Sequence, residues 1–190
     1  MDKDSLFKLS LKASNEWLNS NIDDASKSEI IELQKIKNKN KLIESFYKNL
    51  EFGTGGIRGL IGTGTNRINK FTLGLATQGL SNYLKKKINS NIKVAIAYDN
   101  RKFSKEFAFI TADILSANDI NVIIFKELRP TPLLSYTVRK LKCSSGIVIT
   151  ASHNPKEYNG YKVYWNDGGQ IVKPHDEGII NEINILKEIN

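Results

Sequence analysis

The chain has 190 residues, 40% of them hydrophobic and 25% charged, which is ordinary for a globular protein of one domain with or without a helical extension. No apolar run approaches the length of a membrane span, and no apolar signal segment follows Met1. The one cysteine, Cys143, cannot form an internal disulfide. We therefore expect a cytoplasmic protein without a membrane partner. The formal net charge of +8 implies affinity for an anion, but the lysines are scattered and form no nucleic-acid-binding motif. We therefore interpret the charge first as a solvated surface and second as a field that attracts small phosphates, and we expect no nucleic-acid partner.

Residues 1–50 are predicted to be helical and to pack on the body of the domain as an extension. Three apolar stripes have helical spacing: Leu6, Leu9, Ala13 and Trp17; Ile30, Ile31, Leu33 and Ile36; and Ile43, Phe46, Tyr47 and Leu50. Ser26 with Glu29 is a possible capping box ahead of the second stripe. We interpret these apolar residues as core and assign them no chemistry.

A glycine-rich run follows at residues 51–64, with six glycines. Glycine at this density indicates a backbone that turns sharply or approaches another group closely. The run is neither a P-loop nor a dinucleotide fingerprint, because no Gly-Lys-Ser/Thr follows and Arg58 occupies the place of the third glycine. Successive backbone N–H groups with the Arg58 guanidinium would still form a phosphate seat. The alternative is a glycine-rich connector with a surface arginine.

Helical stretches and short apolar runs alternate through the rest of the chain. The runs that indicate buried strands are 94–97, 122–125 and 146–149. Ser104 and Thr131 are predicted N-caps of helices between them. Residues 159–165 are predicted to form a further strand, paired as a hairpin with its neighbour, and residues 176–189 a helix. This pattern predicts an α/β fold, a three-layer α/β/α sandwich with a mostly parallel mixed sheet, plus the amino-terminal helical extension.

The stretch from Gly146 to Val163 is the most informative part of the sequence. An apolar β-branched run gives way abruptly to Thr-Ala-Ser-His-Asn-Pro, which places Ser152 just past the end of a strand. Ligands of open α/β sheets bind beyond the carboxyl ends of the strands. Ser152, with His153 beside it and Lys162 returning on the next strand, is therefore a candidate reaction centre. The alternative is an ordinary turn, since Ser, Asn and Pro are turn residues.

Polar side chains also follow the other predicted strands. Asp99 and Arg101 follow the run 94–97, and we interpret them as a mutually paired structural brace rather than as catalysts. Arg129 follows the run 122–125. His175, next to a proline, is interpreted as a loop or cap histidine.

Six short motifs occur in the chain in a characteristic order: Phe-Gly-Thr-Gly-Gly-Ile-Arg at 52–58, Gly-Thr-Asn-Arg at 64–67, Ala-Tyr-Asp at 97–99 with Arg101, Leu-Arg-Pro-Thr-Pro at 128–132, Thr-Ala-Ser-His-Asn-Pro at 150–155 and Tyr-Asn-Gly-Tyr-Lys-Val at 158–163. Taken together and in this order, they closely resemble the motifs of the α-D-phosphohexomutases, in the bacterial phosphoglucomutase/phosphomannomutase branch related to eukaryotic phosphopentomutase-type enzymes. The resemblance implies that residues 51–190 are the first of four domains, with domains 2–4 absent and residues 1–50 as the extension.

The resemblance implies that Ser152 is the phosphorylated serine of a mutase that interconverts hexose 1-phosphate and hexose 6-phosphate. The phosphoserine gives its phosphoryl group to the sugar, and the hexose 1,6-bisphosphate reorients and returns its other phosphoryl group. Glucose 1,6-bisphosphate is then the expected activator and intermediate. Mg²⁺ is expected on an oxygen of the Ser152 phosphate, with carboxylates from the second domain.

Family roles map onto the other matching positions of this sequence. Lys162 takes the place of a general acid/base or charge stabiliser, and His153 that of the neighbour that binds substrate near the serine. Arg58, with Thr54 and Gly55, takes the place of the amino-terminal loop that binds substrate phosphate. A serine hydroxyl is a weak nucleophile that needs such a base and such charge neutralisation.

Hexose phosphates and the remaining mutase domains are the expected partners, and the domain is expected to be inactive alone. Two alternatives stay open, a phosphopentomutase and a non-catalytic phosphosugar-binding module. A serine hydrolase is disfavoured, because Ser152 lies outside a Gly-x-Ser-x-Gly elbow and His153 is adjacent in sequence, an awkward position for its base.

Overall fold

The computed structural model describes residues 2–35, 39–89 and 91–189. The helices are α1 Lys3–Asn19, α2 Asp24–Gln34, α3 Lys39–Phe46, α4 Lys70–Lys87, α5 Ser104–Ala117, α6 Thr131–Lys140 and α7 His175–Ile189. The strands are β1 Gly56–Leu60, β2 Lys93–Tyr98, β3 Asn121–Ile124, β4 Ser145–Ile149 and β5 Tyr158–Trp165. Ile36, which completes a predicted apolar stripe, lies outside the described residues.

The strands form a five-stranded sheet in the order β1-β5-β4-β2-β3. Strand β2 pairs in parallel with β3 and β4, whereas β5 pairs antiparallel with both β4 and β1. Four strands therefore run in one direction and β5 runs against them, which confirms the mostly parallel mixed sheet. The hairpin between β4 and β5 is also as predicted, and its loop, residues 150–157, carries Ser152.

Helices cover the sheet on both faces, which confirms the three-layer α/β/α sandwich. Helices α4, α5 and α7 share the larger apolar core with alternate side chains of β2, β4 and β5. Helix α6 packs on the opposite face, where Leu134 and Val138 contact Val148 of β4. All five residues of β4 are buried, as expected for a central strand with a continuous apolar sequence. Within the described ranges, no helix is both long and apolar enough to cross a bilayer.

The amino-terminal helices α1–α3 have a small apolar cluster of their own, centred on Ile30, Leu42 and Phe46. Trp17 joins this cluster to the first turn of α4, since its ring meets Phe46 at 5.7 Å and Phe71 at 5.4 Å in edge-to-face geometry. An ion pair of 2.9 Å between Lys70 and Asp23 crosses the same boundary. The helices thus contact the sandwich through aromatic rings and charge.

The predicted helix caps are wrong at each of the three positions. Helix α2 is capped by Asp23, whose carboxylate accepts from the Ser26 N–H at 3.0 Å, because a carboxylate at a helix N-terminus also benefits from the dipole. Ser104 is the first residue of α5, and its hydroxyl donates to Asp99 instead of the helix. Thr131 is likewise the first helical residue of α6, one position after the N-cap.

Candidate active site

Ser152 lies in the loop that leaves β4, exposed and in a left-handed backbone conformation with φ 57°. A left-handed conformation costs a non-glycine residue roughly 1–2 kcal/mol, so it persists only where neighbouring contacts enforce it. One such contact is the bond of 2.9 Å from the Ser152 N–H to the Thr150 hydroxyl oxygen. The loop turns the Ser152 side chain back toward β5.

Lys162 on β5 contacts the Ser152 side chain. Lys162 lies on β5 between Val148 of β4 and Gly56 of β1, and its Nζ donates a hydrogen bond to Ser152 Oγ. An ammonium group is a donor without acceptor capacity, so this bond places a positive charge beside the Ser152 hydroxyl oxygen. The structure thus brings together the predicted nucleophile and the predicted acid/base or charge stabiliser.

Arg58 shares a sheet face with Lys162. The register pairs Gly56 with Lys162 and Arg58 with Gly160, and side chains that are paired or two residues apart point to the same face. Arg58 and Lys162 are therefore diagonal neighbours, roughly 7 Å apart at this kind of pairing. Arg58 is exposed and makes no hydrogen bond or ion pair with any other described residue. Its guanidinium is available to an anion on this face.

The glycine-rich run contains an edge strand, β1, so it is more than a connector, while Arg58 is exposed as the alternative interpretation also has it. Before β1, Gly53 and Gly56 exchange two backbone hydrogen bonds, of 2.9 and 3.0 Å, in a tight turn. Gly56 has φ +130°, and a Cβ there would overlap the carbonyl oxygen of Tyr161. The backbone of β1 therefore approaches β5 closely at Gly56, as the density of glycines predicted.

Thr54 and Gly55, the other predicted phosphate-binding residues, lie in that turn. The Thr54 hydroxyl donates to the buried Asp176 carboxylate at 3.2 Å. The Gly55 carbonyl accepts from the Val163 N–H at 3.0 Å and from the Gln170 amide at 3.2 Å. These contacts attach the turn to β5 and α7, and a phosphate-binding role for Thr54 and Gly55 stays a prediction.

His153 follows Ser152 and is exposed to solvent. Among the described residues, none contacts the His153 ring by a hydrogen bond or by ring stacking. Nothing in the described part of the loop holds the imidazole against Ser152 as a base, in agreement with the argument against a serine hydrolase. Its predicted contact with substrate stays a prediction.

Asp99 and Arg101 form the predicted pair, with 3.3 Å between Asp99 Oδ2 and Arg101 Nε. Arg129 does not join this pair. It forms an ion pair of 3.5 Å with Glu127, in the loop that follows β3. The loops 99–102 and 152–157 enclose a cavity of about 650 Å³ that includes Ser152.

Two lysines of that cavity were not predicted as site residues. Lys102 and Lys156 line it together with Arg101, and the carboxylates of Asp99 and Glu157 line it as well. Each lysine directly follows a residue of a matched motif, Arg101 and Pro155. Charge next to a motif is the sequence signal that could have identified them.

The described side chains do not provide a magnesium site by themselves. In the described part of the chain, no three His, Cys, Asp or Glu side chains cluster in a way that could hold a metal ion. Asp99, a carboxylate of the serine cavity, is already occupied by Arg101 and Ser104. The expected Mg²⁺ on the Ser152 phosphate therefore stays a prediction, and no chemical step is assigned to it.

His175 is the first residue of α7 rather than a loop or cap residue. Its ring stacks on Trp165, with 3.8 Å between centroids, and its Nδ1 lies 2.9 Å from the Tyr83 hydroxyl oxygen. Burial is the main cause that lowers the pKa of His175, and Lys87 adds to it. Trp165 ends β5 and Tyr158 begins it, so this aromatic cluster lies toward the opposite end of the strand from the serine loop.

Comparison with known proteins identifies relatives of the region that contains these motifs. The family model for phosphoglucomutase/phosphomannomutase, alpha/beta/alpha domain I, matches residues 49–189. A phosphopentomutase of Mus musculus is 40% identical over 177 residues, covering 88% of this chain and 28% of the relative. A phosphoglucomutase of Staphylococcus epidermidis is 46% identical over 143 residues, covering 68% of this chain and 26% of the relative.

A solved structure from Thermus thermophilus, provisionally assigned as a phosphomannomutase, superposes with a TM-score of 0.66 and 31% identity. The match covers 72% of this chain and 30% of that one. The chain thus spans about a quarter to a third of the length of the proteins it matches.

Proposed function

The chain belongs to the phosphoglucomutase/phosphomannomutase family, whose α/β/α domain I it matches, and on that premise we propose that Ser152 carries the phosphoryl group of a sugar-phosphate mutase. The reaction is the interconversion of hexose 1-phosphate and hexose 6-phosphate through a hexose 1,6-bisphosphate. The observation that carries the proposal is the hydrogen bond from Lys162 Nζ to Ser152 Oγ.

The chemistry of transfer explains why that bond matters. When phosphoserine gives its phosphoryl group to a sugar hydroxyl, the bond from phosphorus to Ser152 Oγ breaks and a bond to the sugar oxygen forms. The sugar hydroxyl gives its proton to water, and the sugar oxygen regains a proton from water in the reverse transfer. The serine oxygen leaves with negative charge, which a hydrogen bond from Lys162 stabilises, and Lys162 can supply its proton. In the reverse transfer, the same lysine takes back the proton of the Ser152 hydroxyl.

Charge neutralisation is the second requirement. A phosphoserine carries about −1.5 to −2 charges at neutral pH, and phosphoryl transfer depends chiefly on positioning and electrostatics. Lys162 and Arg58 lie on one sheet face, and Lys102 and Lys156 line the cavity beside the serine. This concentration of cations fits a phosphoserine and the phosphate of a substrate.

We propose further that this domain works with the other mutase domains, which supply the rest of the substrate site and the carboxylates for Mg²⁺. The matched relatives are three to four times longer than the matched region, which supports this proposal. Glucose 1,6-bisphosphate is the proposed activator, since it can phosphorylate Ser152 directly.

Pentose phosphate is the second candidate substrate, because a phosphopentomutase is among the relatives at 40% identity. The two candidates are separated by steady-state turnover of the full-length protein with glucose 1-phosphate, mannose 1-phosphate and ribose 1-phosphate.

The proposal itself is tested by Ser152→Ala in the same assays. We expect turnover of every accepted sugar to be abolished, with the fold unchanged because Ser152 is exposed. Full activity of this variant would refute the phosphoryl-carrier role.

A further inference from the structure

The serine loop is held by one guanidinium group, that of Arg101. Its Nη2 donates to the carbonyls of Ser152 at 2.9 Å and Asn154 at 2.7 Å. Its Nη1 donates to the carbonyls of Pro155 at 2.8 Å and Tyr158 at 3.1 Å. Three carbonyls of the serine loop and that of Tyr158, the first residue of β5, thus converge on one side chain that follows the end of β2.

This contact acts on the left-handed residue itself. The Ser152 carbonyl is bound by Arg101, and the Ser152 N–H is bound by Thr150. Both peptide groups that flank the Ser152 Cα are therefore fixed, which fixes the direction in which Oγ leaves the backbone. That direction leads to Lys162 Nζ.

Asp99 orients the guanidinium from the other side. Its Oδ2 lies 3.3 Å from Arg101 Nε, and its Oδ1 accepts from the Arg101 backbone N–H at 3.0 Å. The Ser104 hydroxyl also donates to Asp99 Oδ1, at 2.7 Å. The Arg101 side chain is only 12% exposed, so its charge and all three of its nitrogens are used inside the protein.

A buried asparagine connects this group to the strand that carries Lys162. Asn159 Nδ2 donates to Ser104 Oγ at 3.0 Å and to the Lys102 carbonyl at 3.1 Å, and its Oδ1 accepts from the Gly160 N–H at 2.8 Å. Asn159 and Ser104 are both fully buried. Because a buried polar group without its partner is costly, these bonds are expected to persist in the folded state.

We infer that Asn159, Ser104, Asp99 and Arg101 form a positioning network for phosphoryl transfer. One end holds the loop of Ser152, and the other end holds β5 three residues before Lys162, so the network fixes the nucleophile relative to its acid/base. Among the described residues, none of the four makes a hydrogen bond to Ser152 Oγ, whose partner is Lys162. The inference rests on the proposed role of Ser152 and adds these four residues to the machinery.

Arg101→Lys in the full-length enzyme is the direct test, because lysine keeps the charge but cannot contact four carbonyls at once. Misplacement of a reacting group by about 1 Å can cost about 10²-fold in rate. We therefore expect kcat, corrected for the folded fraction, to fall about 10²-fold while KM for the sugar phosphate changes little. The rate of a single transfer from phosphorylated Ser152 should fall by the same factor.

Arg67→Lys is the matched control. The Arg67 side chain is 11% exposed, and its Nη1 donates to the carbonyls of Glu44 and Asn66 near α3, so it loses the same kind of contact away from the serine loop. We expect a comparable loss of stability without the loss of kcat. An equal loss of kcat in both variants would overturn the inference.

Asp99 gives a second test if Arg101→Lys fails to fold. Asp99→Asn keeps an acceptor oxygen for the Arg101 N–H and Ser104, whereas Asp99→Ala removes it. We expect Asp99→Asn to retain more kcat than Asp99→Ala, and equal wild-type kcat in both would overturn the inference.

Ser152→Ala is assayed in parallel to separate the two proposals. If Ser152→Ala is inactive while Arg101→Lys has wild-type kcat, only the positioning network is refuted. If Ser152→Ala is fully active, the proposed function is refuted with it.

Discussion

Lys162 on β5 donates a hydrogen bond to the hydroxyl oxygen of Ser152, ten residues earlier in the chain. The hairpin between β4 and β5 makes this possible, since it returns the chain beside the strand that it has just left. A lysine in this position can stabilise the serine oxygen as a leaving group and return its proton.

Replacement of Lys162 by Ala should reduce kcat about 10²- to 10⁴-fold, the usual contribution of a positioned acid or base. The cause is loss of the only ammonium group that contacts Ser152 Oγ among the described residues. Turnover of the full-length enzyme measures the effect. Lys12→Ala is the control, because that side chain is 78% exposed on α1, and wild-type kcat in Lys162→Ala would contradict the assignment.

Replacement of Arg58 by Ala should weaken phosphate binding without affecting stability. Arg58 contacts no other described residue by hydrogen bond or ion pair, so the free energy of unfolding should change by no more than about 0.5 kcal/mol. KM for the sugar phosphate should rise, or the phosphorylation rate of Ser152 should fall. A marked loss of stability with normal kinetics would mean that Arg58 is structural.

Gly56→Ala should destabilise the protein by about 2 kcal/mol or more, because its Cβ would overlap the Tyr161 carbonyl at φ +130°. Urea denaturation measures this change. Gly74→Ala is the control within helix α4, where the new Cβ would meet only Ile114, at 3.5 Å. There we expect a gain of about 0.5–1 kcal/mol, since alanine favours helix. A stable Gly56→Ala variant would contradict the close approach of β1 to β5.

Stability should fall at acid pH because of His175, whose pKa is lowered by burial from its ordinary value of 6.5. The unfolded state then binds more protons than the folded state, so this contribution is present above pH 6.5 and is lost as the pH falls below it. His175→Phe keeps a ring against Trp165 and removes the titration. The free energy of unfolding of wild type relative to this variant should decrease from about pH 7.5 to about pH 5.5. A constant difference would contradict this assignment.

The strands that could be predicted were those with apolar, β-branched sequences. The runs 94–97, 122–125 and 146–149 lie in β2, β3 and β4 with shifts of one residue at their ends. Strand β1 was missed, because Gly56 and Gly59 have low strand propensity and the strand forms through pairing with β5, about 100 residues later. Residues 56–60 thus form a strand because of long-range pairing and not because of local sequence preference.

The predictions of helix caps were wrong for a related reason. Ser104 has the residue type of an N-cap, but the Asp99 carboxylate, five residues earlier, takes its hydroxyl. The competing partner is part of a network that the sequence does not display.

Within the site, the pairing of Asp99 with Arg101 could be predicted because the two residues are close in sequence. The contact of Arg101 with four carbonyls could not, because carbonyls are present at every residue and those bound here lie more than 50 positions away. The positions of Ser152 and Lys162 followed from the strand end and the hairpin, whereas their hydrogen bond required the structure.

Measuring the phosphorylation state of Ser152 is the most direct test of its proposed role as a phosphoryl carrier. The full-length protein, before and after treatment with glucose 1,6-bisphosphate, is analysed by intact mass and peptide mapping, then chased with a sugar monophosphate. We predict one phosphate on Ser152 after treatment and its transfer to the sugar during the chase. A protein that never carries phosphate on Ser152, even after treatment, would contradict the phosphoryl-carrier role and favour a module that only binds phosphosugars.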